Sequence, residues 1–463
     1  MNMIWKSKQI SEALNIKILS QENFGKVHFN SKDIDKGDVF IALTGGSRDG
    51  HEFVSDAFHR GAGLAIVSQD VKDVPSDKII KVDDTFEALQ DLAEYKRQNS
   101  KAKFIGITGS VGKTSTKEML GLALESFAQT FVSRANFNNQ LGVLINLASI
   151  SDDDKFVVME MGMRAAGEIS HLTKQVTPDI AVITSVAQGH LEFFESIEKI
   201  ADAKSEIFEG LDINSGVAIL NRDISTYKRC TENIDIAGIG NIKTFGKSQF
   251  ANVRFVSYSL IDSEMVKLVY NVFNKKLEFV MPAIPMHMAF NFATVFAVIH
   301  TLGLDINQAA KSLSKFKAKI GRGLVVKVQK DNKDYDIIAD YYNANPESMK
   351  AALEYLRQFQ NTKKIAILGD MNELGKDEVK IHYAAISHIV KSGAKKLFLV
   401  GEIVTKIITD IPKTIAVYTY KNSDELARDI NKHVEGGEVI LIKGSRGIHL
   451  EKVAETLGIQ NAL

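Results

Sequence analysis

The sequence predicts an α/β protein with three domains, and three observations support this. The chain has 463 residues, which corresponds to about three domains at roughly 150 residues per domain. From Lys103 onward, apolar β-branched runs alternate with glycine turns and helix-like segments, a pattern typical of a parallel sheet covered by helices. A second series of this kind follows Gly321 and indicates a doubly wound, Rossmann-like domain. We therefore predict domains over residues 1–100, 101–320 and 321–463.

The N-terminal domain is predicted to be small and of mixed α/β structure. Two short apolar runs, Val39–Leu43 and Leu64–Val67, predict strands, whereas the apolar residues of Thr85–Gln98 recur at helical spacing. The polar stretch Asn99–Lys103 predicts a linker. The first domain boundary is therefore placed near residue 100.

The central domain is predicted to contain a parallel sheet. Residues 241–280 depart from the alternating pattern and are rich in β-formers, which indicates an antiparallel extension. Ser196–Phe208 and Asn291–Leu302 predict helices. The strand candidates of the parallel part are Phe104–Thr108, Lys155–Glu160, Asp179–Ser185 and Gly216–Leu220.

The C-terminal domain is predicted to be doubly wound, with helical crossovers between most of its six strands. Lys319–Gly323 is the predicted hinge between it and the central domain. The strand candidates are Leu324–Val328, Asp336–Ala339, Lys364–Leu368, Lys396–Val400, Ile415–Thr419 and Glu438–Ile442.

The composition argues against several classes of function. The 57 basic and 57 acidic residues balance to a formal net charge of zero, whereas a nucleic-acid-binding protein usually carries a basic excess. The single cysteine, Cys230, excludes an internal disulfide and a cysteine-ligated zinc site, and it favours a reducing cytoplasm. Met1–Ile10 lacks the apolar core of a signal peptide. Met281–Leu304 is apolar but contains prolines and histidines, so it predicts a buried helix rather than a membrane span.

A phosphate-binding loop is predicted between the first central strand and the helix that begins near Lys113. Its sequence, Thr108-Gly109-Ser110-Val111-Gly112-Lys113-Thr114-Ser115, follows an apolar strand. Glycines allow backbone N–H groups to approach a polyphosphate, and the helix N-terminus adds a favourable dipole. Lys113 is expected to reach the β- and γ-phosphates of a nucleotide, and Thr114 to bind Mg²⁺. The alternative is a chance glycine turn, since Gly109 stands two positions later than a common P-loop requires.

Two further residues follow neighbouring strands and are candidate metal ligands. Glu160 ends the run Phe156–Glu160, and His190 follows the strand predicted at 179–185. Because ligands collect at the carboxyl ends of parallel strands, both are expected at the same sheet edge as Thr114. Carboxylate, imidazole and hydroxyl groups near a triphosphate predict a magnesium site. Taken singly, each residue is better explained as an ordinary loop residue, and only their shared position favours the metal site.

Lys204 lies on an apolar helix face, four residues from both Ile200 and Phe208. Burial lowers a lysine pKa, and a neutral amine beside a metal is able to capture carbon dioxide as a carbamate. The alternative is a lysine that extends its ammonium group to water, and periodicity alone favours that alternative.

Two segments near the second domain boundary carry polar residues with open roles. His287 and Asn291 stand one helical turn apart. They either hydrogen-bond to the edge of an adenine base or are polar residues near a helix start whose hydrogen bonds are made within the protein. The segment from Asp340 to Pro346 follows a predicted strand and precedes a helix. Asn345 is either a ligand-binding residue or the N-cap of a helix that begins at Pro346.

These motifs together resemble the Mur ligases, over about residues 30–446. The family's form of the phosphate loop has a glycine, two further residues and then Gly-Lys-Thr, as this loop does. The segments YNANP and LGDMNELG resemble the branch of the family that adds D-alanyl-D-alanine. The matching segments are GITGSVGKTSTKEM (106–119), NFNNQLGV (136–143), MEMGMRAAGEI (159–169), GHLEFF (189–194), IADAKSEIF (200–208), DYYNANPESM (340–349), LGDMNELG (368–375) and KGSRG (443–447).

The resemblance implies roles for individual residues of this chain. Lys113 and the loop amides would hold the phosphates of ATP. Thr114 and Glu160 would bind one Mg²⁺, and His190 with a carbamylated Lys204 a second one. The residues implied near the adenine, ribose and phosphate of the nucleotide are Asn136, Asn139, His287, Asn291, Arg322 and Asp340. The residues implied in substrate binding are Asn343 and Asn345 for D-alanyl-D-alanine, and Ser31, Thr44, Arg48, Asp49 and His51 for the uridine diphosphate.

The resemblance also implies the reaction and its partners. ATP would activate the carboxylate of UDP-N-acetylmuramoyl-tripeptide as an acyl phosphate, and D-alanyl-D-alanine would displace the phosphate, in cytoplasmic peptidoglycan synthesis. A monomer without nucleic-acid or membrane partners is expected. Three places depart from the family pattern: Lys32 stands in place of an arginine, Met288 stands in place of an asparagine, and Met163-Arg164-Ala165 differs from the usual residues after Glu-Met-Gly. The open alternatives are another Mur-type or folylpolyglutamate-type ligase, and a P-loop protein that hydrolyses nucleotide without joining substrates.

Overall fold

Three large β-sheets, one in each part of the chain, organise the protein. The computed structural model describes residues 3–17, 22–45, 48–72, 74–134, 136–187, 194–261, 265–360 and 363–460. His190 lies outside these ranges, so the role predicted for it stays a prediction. In the described part of the chain, no helix is long and apolar enough to cross a membrane.

The N-terminal part contains a four-stranded parallel sheet in the order β3-β4-β7-β8 and two small antiparallel pairs. The predicted strands at Val39 and Leu64 and the helix at Thr85 are confirmed. The strands are β1 (Trp5–Lys6), β2 (Asn23–Phe24), β3 (Val27–His28), β4 (Val39–Ile41), β5 (Thr44–Gly45), β6 (Arg48–Asp49), β7 (Leu64–Val67) and β8 (Ile79–Lys81), and the helices are α1 (Ser7–Ala13), α2 (Val54–Arg60) and α3 (Thr85–Asn99).

The central part contains a nine-stranded sheet in the order β10-β11-β9-β12-β13-β14-β15-β16-β17. It is parallel as far as β15 and antiparallel from β15 to β17, which confirms the predicted antiparallel extension. The strands are β9 (Lys103–Thr108), β10 (Thr130–Val132), β11 (Phe156–Glu160), β12 (Ile180–Ile183), β13 (Val217–Asn221), β14 (Ile242–Gly246), β15 (Val253–Leu260), β16 (Met265–Val272) and β17 (Lys275–Pro282). The helices are α4 (Lys113–Leu124), α5 (Gln140–Leu147), α6 (Glu168–Val176), α7 (Ile197–Ser205), α8 (Tyr227–Ile236), α9 (Met286–Thr301) and α10 (Ile306–Leu313).

The helix predicted at Asn291–Leu302 begins earlier than expected, at Met286. It starts directly after Pro285, which is tolerated there because the first residues of a helix have no intrahelical partner for their N–H groups. The earlier start places His287 and Asn291 on the first turns of one helix. Ten residues between Met288 and Ile299 are buried, which confirms the prediction of a buried helix.

The C-terminal part contains a six-stranded sheet in the order β18-β19-β23-β20-β21-β22. All six predicted strands are present and most are linked by helices as expected, but the first two are not. They form an antiparallel hairpin, because Asp331 and Asn332 both adopt positive φ angles and close a tight turn. The strands are β18 (Leu324–Lys330), β19 (Lys333–Ala339), β20 (Lys363–Gly369), β21 (Lys396–Val400), β22 (Ala416–Tyr420) and β23 (Glu438–Lys443), and the helices are α11 (Pro346–Gln358), α12 (Glu378–Ala384), α13 (Ile386–Ser392), α14 (Ser423–Asp429) and α15 (Glu451–Thr456).

The N-terminal and central parts are joined by packing as well as by the chain. Their buried side chains belong to one continuous apolar cluster. The Trp5 indole donates to the carbonyl of Ala148 at 2.8 Å. The buried Lys96 ammonium lies over the Trp5 ring and forms an ion pair with Asp152 at 2.8 Å. The stretch 99–103, predicted as a linker, is therefore a short connection between two parts that pack together, and the boundaries at 100 and 320 stay predictions.

Candidate active site between the central and C-terminal domains

A single cleft of about 1370 Å³ brings the carboxyl ends of two sheets together. The phosphate loop and the ends of β11 and β12 form one wall, and loops that follow β19, β20 and β23 form the other. The cleft also includes the start of α9 and residue Arg322. This arrangement agrees with the rule that parallel sheets bind ligands at their carboxyl edge.

The phosphate loop is hydrogen-bonded to the residues that follow β12. Ser110 N–H donates to the Ser185 carbonyl at 2.9 Å, and Val111 N–H donates to Ser185 Oγ at 2.8 Å. Thr184 Oγ1 donates to the Val111 carbonyl at 2.7 Å. Since two loop amides are engaged within the protein, the amides that begin at the α4 N-terminus are the better candidates for phosphate binding.

Two glycines of this loop are required by its geometry. Gly109 has a φ of +150° and Gly112 a φ of +86°. A Cβ atom at Gly109 would lie 2.0 Å from Thr184 Oγ1 and 3.0 Å from the backbone nitrogen of Ser185. The unusual position of Gly109 in the motif thus corresponds to the point where the loop touches the neighbouring strand.

Substitution of Gly109 by alanine is expected to disturb the loop. The free energy of unfolding should fall by about 1–3 kcal/mol, because the new methyl group clashes and the φ angle is unfavourable for alanine. Urea denaturation and ATP-binding calorimetry would measure both effects, and we expect at least a roughly 10-fold weaker affinity for ATP. Gly240→Ala is the matched control, since a Cβ atom there meets nothing within 4 Å. Equal behaviour of the two variants would contradict the role of Gly109.

Lys113 begins α4 and points back over the loop. Its Nζ donates to the carbonyl of Gly109 at 2.5 Å. Burial lowers its pKa, the nearby Glu160 carboxylate opposes this, and Arg322 adds to the lowering. Lys113 and Arg322 are therefore close enough to interact across the two domains, as expected for two cations that face one polyanion.

The Glu160 carboxylate lies in a network of hydrogen bonds and an ion pair, of which the sequence predicted only the nearness of Thr114. Thr114 Oγ1 donates to Glu160 Oε2 at 2.9 Å, which confirms that the two predicted ligands meet. Asn138 Nδ2 donates to the other carboxylate oxygen at 2.9 Å, and Lys117 Nζ lies 3.4 Å from Oε2. Neither Asn138 nor Lys117 was singled out. The available signal was their place in the family segments, with Lys117 one helical turn after Lys113.

The donor set around Glu160 suits a hard divalent cation. A buried carboxylate and a hydroxyl oxygen lie together beside a helix N-terminus, and oxygen atoms are the ligands that Mg²⁺ prefers. The described residues contain no group of three or more His, Cys, Asp or Glu side chains arranged to hold a metal. Mg²⁺ commonly completes its coordination with phosphate oxygens of a nucleotide and with water.

Lys204 is buried on α7, with only 2% of its surface exposed. Ile200 and Phe208 on the same face are fully buried, which confirms the predicted apolar face. Burial and the nearby Lys113 hold the pKa of Lys204 well below its usual value. Among the described residues, no carboxylate forms an ion pair with it. The alternative of an ammonium group extended to water is therefore wrong for this lysine.

The residues implied near the adenine converge on the cleft. Asn136, Asn139, His287 and Asn291 all line it. Asn139 also caps α5, since its side chain accepts from Gly142 N–H at 2.9 Å. Burial lowers the pKa of His287 to about 4, Asp340 opposes this and Lys443 adds to it, so the imidazole is neutral at pH 7.

Met288, which departs from the family pattern, is 3% exposed and belongs to the apolar core around α9. The departure therefore adds apolar contact beside the neutral His287 rather than a further polar group.

Arg322 and Asp340 face the cleft from the second domain, and each has a partner that sequence reasoning missed. The Arg322 guanidinium lies 4.0 Å from the centre of the Tyr342 ring, and Arg446 lies 5.0 Å from it. Asp340 Oδ2 forms an ion pair at 3.0 Å with Lys443, which is 1% exposed. Both missed partners lie in the segments DYYNANP and KGSRG.

The two asparagines of the NANP segment have different surroundings. Asn345 caps α11, because its side chain accepts from Ser348 N–H at 2.9 Å and Pro346 is the first helical residue. The N-cap interpretation is thus confirmed, although Asn345 also lines the cleft. Asn343 is exposed and lines the cleft, and the Lys443 ammonium donates to its carbonyl at 2.8 Å.

The five residues predicted to meet uridine diphosphate lie in the N-terminal domain and are not among the described residues that line this cleft. Thr44 and Arg48 are exposed on the β5–β6 hairpin. Asp49 and His51 are hydrogen-bonded to each other, with Asp49 Oδ1 and His51 Nδ1 2.6 Å apart. Ser68 N–H donates to His51 Nε2 at 2.9 Å. Ser31 is buried in a short 3₁₀ helix, 31–33.

Comparison with known proteins decides the family. The model of the Mur ligase middle domain matches residues 107–299, and that of the Mur ligase glutamate ligase domain matches residues 322–446. The chain is 45% identical to the UDP-N-acetylmuramoyl-tripeptide–D-alanyl-D-alanine ligase of Rickettsia prowazekii, over 98% of this chain and 99% of that protein. The chain belongs to the Mur ligase family.

Solved Mur ligase structures have the same fold. MurF from Acinetobacter baumannii superposes with a TM-score of 0.82 at 28% identity, with 98% of each chain covered. MurF ligase from Thermotoga maritima, solved in complex with ADP, superposes with a TM-score of 0.77 at 28% identity and covers 94% of this chain and 97% of that one. The three-domain Mur ligase architecture predicted from the sequence is thereby confirmed.

Proposed function

We propose that this Mur ligase uses ATP to join D-alanyl-D-alanine to UDP-N-acetylmuramoyl-tripeptide, a step of peptidoglycan precursor synthesis. The Rickettsia relative named for this reaction matches the chain from end to end. The structural observation that carries the proposal is the cleft, which sets the phosphate loop opposite the NANP and LGDMNELG loops. A protein that only hydrolyses nucleotide has no need of the second wall.

The reaction is a phosphoryl transfer followed by an acyl transfer. A terminal carboxylate oxygen of the tripeptide attacks the γ-phosphorus of ATP, ADP leaves, and an acyl phosphate results. The amino nitrogen of the dipeptide then attacks the acyl carbon, phosphate leaves with the C–O electron pair, and the nitrogen loses a proton. The first attack brings an anion to a polyanion, so Lys113 and Arg322 are needed to offset the repulsion.

We propose Thr114 and Glu160 as the protein ligands of one Mg²⁺, which when bound supplies positive charge next to the phosphates. Lys204 is proposed to act as a carbamate, together with His190, at a second cation. Its burial and its neighbour Lys113 support this, because both favour the neutral amine that carbamate formation requires. Asn136, Asn139, His287 and Asn291 are proposed to surround the adenine.

The outer parts of the substrates are assigned to the two other domains. We propose that Ser31, Thr44 and Arg48 approach the uridine diphosphate, while Asp49 and His51 support the hairpin that carries Arg48. Asn343 and Asn345 are proposed to contact D-alanyl-D-alanine. Since ATP and the nucleotide-linked precursor are small molecules of the cell interior, we propose the cytoplasm as the compartment. We also propose a monomer as the working form.

The deciding experiment is phosphate release from Mg-ATP with UDP-N-acetylmuramoyl-tripeptide, in the presence and absence of D-alanyl-D-alanine. Steady release only when both substrates are present, with the pentapeptide nucleotide as product, is the expected result. Replacement of the dipeptide by glutamate or by a diamino acid tests the sister Mur ligases and folylpolyglutamate-type ligases. Release that is independent of both substrates would contradict the proposal and leave a nucleotide hydrolase.

A further inference from the structure

Three loops of the second cleft wall meet at Ser445. These loops follow β19, β20 and β23, and Ser445 is 2% exposed. Its N–H donates to the carbonyl of Asp370 at 3.0 Å, and its Oγ accepts from Asn372 N–H at 2.9 Å. The hydroxyl also donates to the carbonyl of Ala344, in the NANP segment, at 3.4 Å. The backbone that leads into Arg446 is therefore fixed against both neighbouring loops.

The side chain of Arg446 extends from this fixed backbone and lies over an aromatic ring. It is exposed and lines the cleft. The central carbon of its guanidinium group lies 5.0 Å from the centre of the Tyr342 ring, and that of Arg322 lies 4.0 Å from the same centre. Cation–π attraction to the ring offsets the repulsion between the two guanidinium groups. Tyr342 therefore holds two cations together on one wall of the cleft.

Arg446 differs in its surroundings from the other cations near this wall. Lys443 is buried and forms its ion pair with Asp340. Arg322 and Lys113 are the two cations that face the phosphates in the proposed reaction. Stacking on a ring engages the face of a guanidinium group and leaves its in-plane N–H groups able to donate. Arg446 is thus a cation that is exposed in the cleft and held in place by an aromatic ring.

We propose that Arg446 binds the terminal carboxylate of the incoming dipeptide and that Tyr342 is the positioning residue that holds it. This deepens the proposed function and rests on it. A guanidinium group offers two parallel N–H donors to the two oxygens of a carboxylate. The NANP segment, to which the same dipeptide is assigned, is hydrogen-bonded to the residue before Arg446. The dipeptide is then held by its carboxyl end on the second wall, and its amino end is free to reach the acyl phosphate.

The first test uses the unaltered protein and a modified acceptor. D-Alanyl-D-alaninamide keeps the attacking amine and the shape of the dipeptide but carries a neutral amide in place of the terminal carboxylate. We expect its KM to exceed that of D-alanyl-D-alanine by about 10- to 100-fold, the effect of losing a hydrogen bond to a charged group. Equal KM values for the two acceptors would overturn carboxylate recognition, and this result needs no variant.

The second test replaces Arg446 with glutamine. The KM for the dipeptide should rise about 10- to 100-fold, while the KM for ATP stays within about 2-fold. The KM for the dipeptide amide should hardly change, because the two alterations remove the same contact and are not additive. Arg446→Lys should recover part of the affinity, since it keeps the charge without the planar fork. An equal rise for both acceptors, or a rise for ATP in place of the dipeptide, would overturn the assignment.

Arg164→Gln is the matched control for the loss of charge. Arg164 is also an exposed arginine that lines the cleft, but it lies in the segment between β11 and α6. Its replacement removes the same charge from the cleft and should leave the dipeptide KM within about 2-fold, because exposed charges at a distance are screened. A dipeptide KM that rises as much in Arg164→Gln as in Arg446→Gln would indicate a general charge effect and overturn the assignment.

Tyr342 is tested by two variants that differ in the presence of the ring. Tyr342→Phe keeps the aromatic face and should leave the dipeptide KM close to the wild-type value. Tyr342→Leu should raise the KM for the dipeptide and for ATP about 3- to 10-fold each, because Arg446 and Arg322 both lose a cation–π contact. Equal dipeptide KM values in the two variants would overturn the positioning role of the ring.

The carboxylate contact and the proposed function fail in different ways. Wild-type ligation of D-alanyl-D-alanine, together with an equal KM for its amide, would overturn the carboxylate contact alone. Absence of wild-type turnover with the tripeptide nucleotide and either acceptor would overturn both.

Discussion

Replacement of Lys113 by alanine is expected to lower kcat for ligation by about 1000-fold or more, which corresponds to about 4 kcal/mol of transition-state stabilisation. Lys113 lies at the start of α4, bound to the loop carbonyl of Gly109 and close to Arg322. Its charge is needed most when the carboxylate and the γ-phosphate approach each other. Steady-state phosphate release and single-turnover formation of the acyl phosphate would measure the loss.

The control for Lys113 is Lys155→Ala, since Lys155 is an exposed lysine of the same domain. It should retain the wild-type rate. The free energy of unfolding of Lys113→Ala should change by less than about 1 kcal/mol, because among the described residues its ammonium group donates to the loop carbonyl of Gly109 alone. A Lys113→Ala variant that turns over at more than about a tenth of the wild-type rate would contradict the role of this lysine.

Replacement of Lys204 by alanine is expected to abolish ligation, with partial rescue by a short-chain carboxylic acid. The side chain is 2% exposed, and burial with the charge of Lys113 favours its neutral form. A neutral amine attacks carbon dioxide at carbon, forms an N–C bond and loses a proton, which leaves an anionic carbamate. Acetate or formate that enters the space left by the side chain would supply the missing anion.

Rescue is measured as the ligation rate against acid concentration. The same acids should not rescue Lys113→Ala, which lacks a cation, and that variant therefore serves as the matched control. Removal of dissolved carbon dioxide should also slow the wild-type protein. Full activity of Lys204→Ala without added acid would contradict the carbamate proposal.

Most strands and helices followed from local pattern, and the two features that it did not show share one cause. The early start of α9 and the β18–β19 hairpin both depend on backbone angles at a few residues next to Pro285 and at Asp331-Asn332. Apolar periodicity reports which face of an element is buried, but it does not report where a turn reverses the chain.

The candidate site was predicted in its parts and not in its connections. The phosphate loop, Glu160 and the buried face of Lys204 were evident from sequence order. The positions of Asn138 and Lys117 around Glu160, and of Lys443 beside Asp340, were not. Each of these contacts depends on how separate elements pack against each other. Apolar periodicity along the chain carries no information about that packing.

The sequence by itself determined the Mur ligase family, the α/β architecture and the phosphate loop, because these depend on residue types at fixed local spacing. Only the tertiary structure decided that the two carboxyl edges face each other across one cleft, that Lys204 is shielded from water, and that Lys443 pairs with the carboxylate of Asp340. These properties arise from burial and from contacts between distant segments, which exist only once the domains have packed.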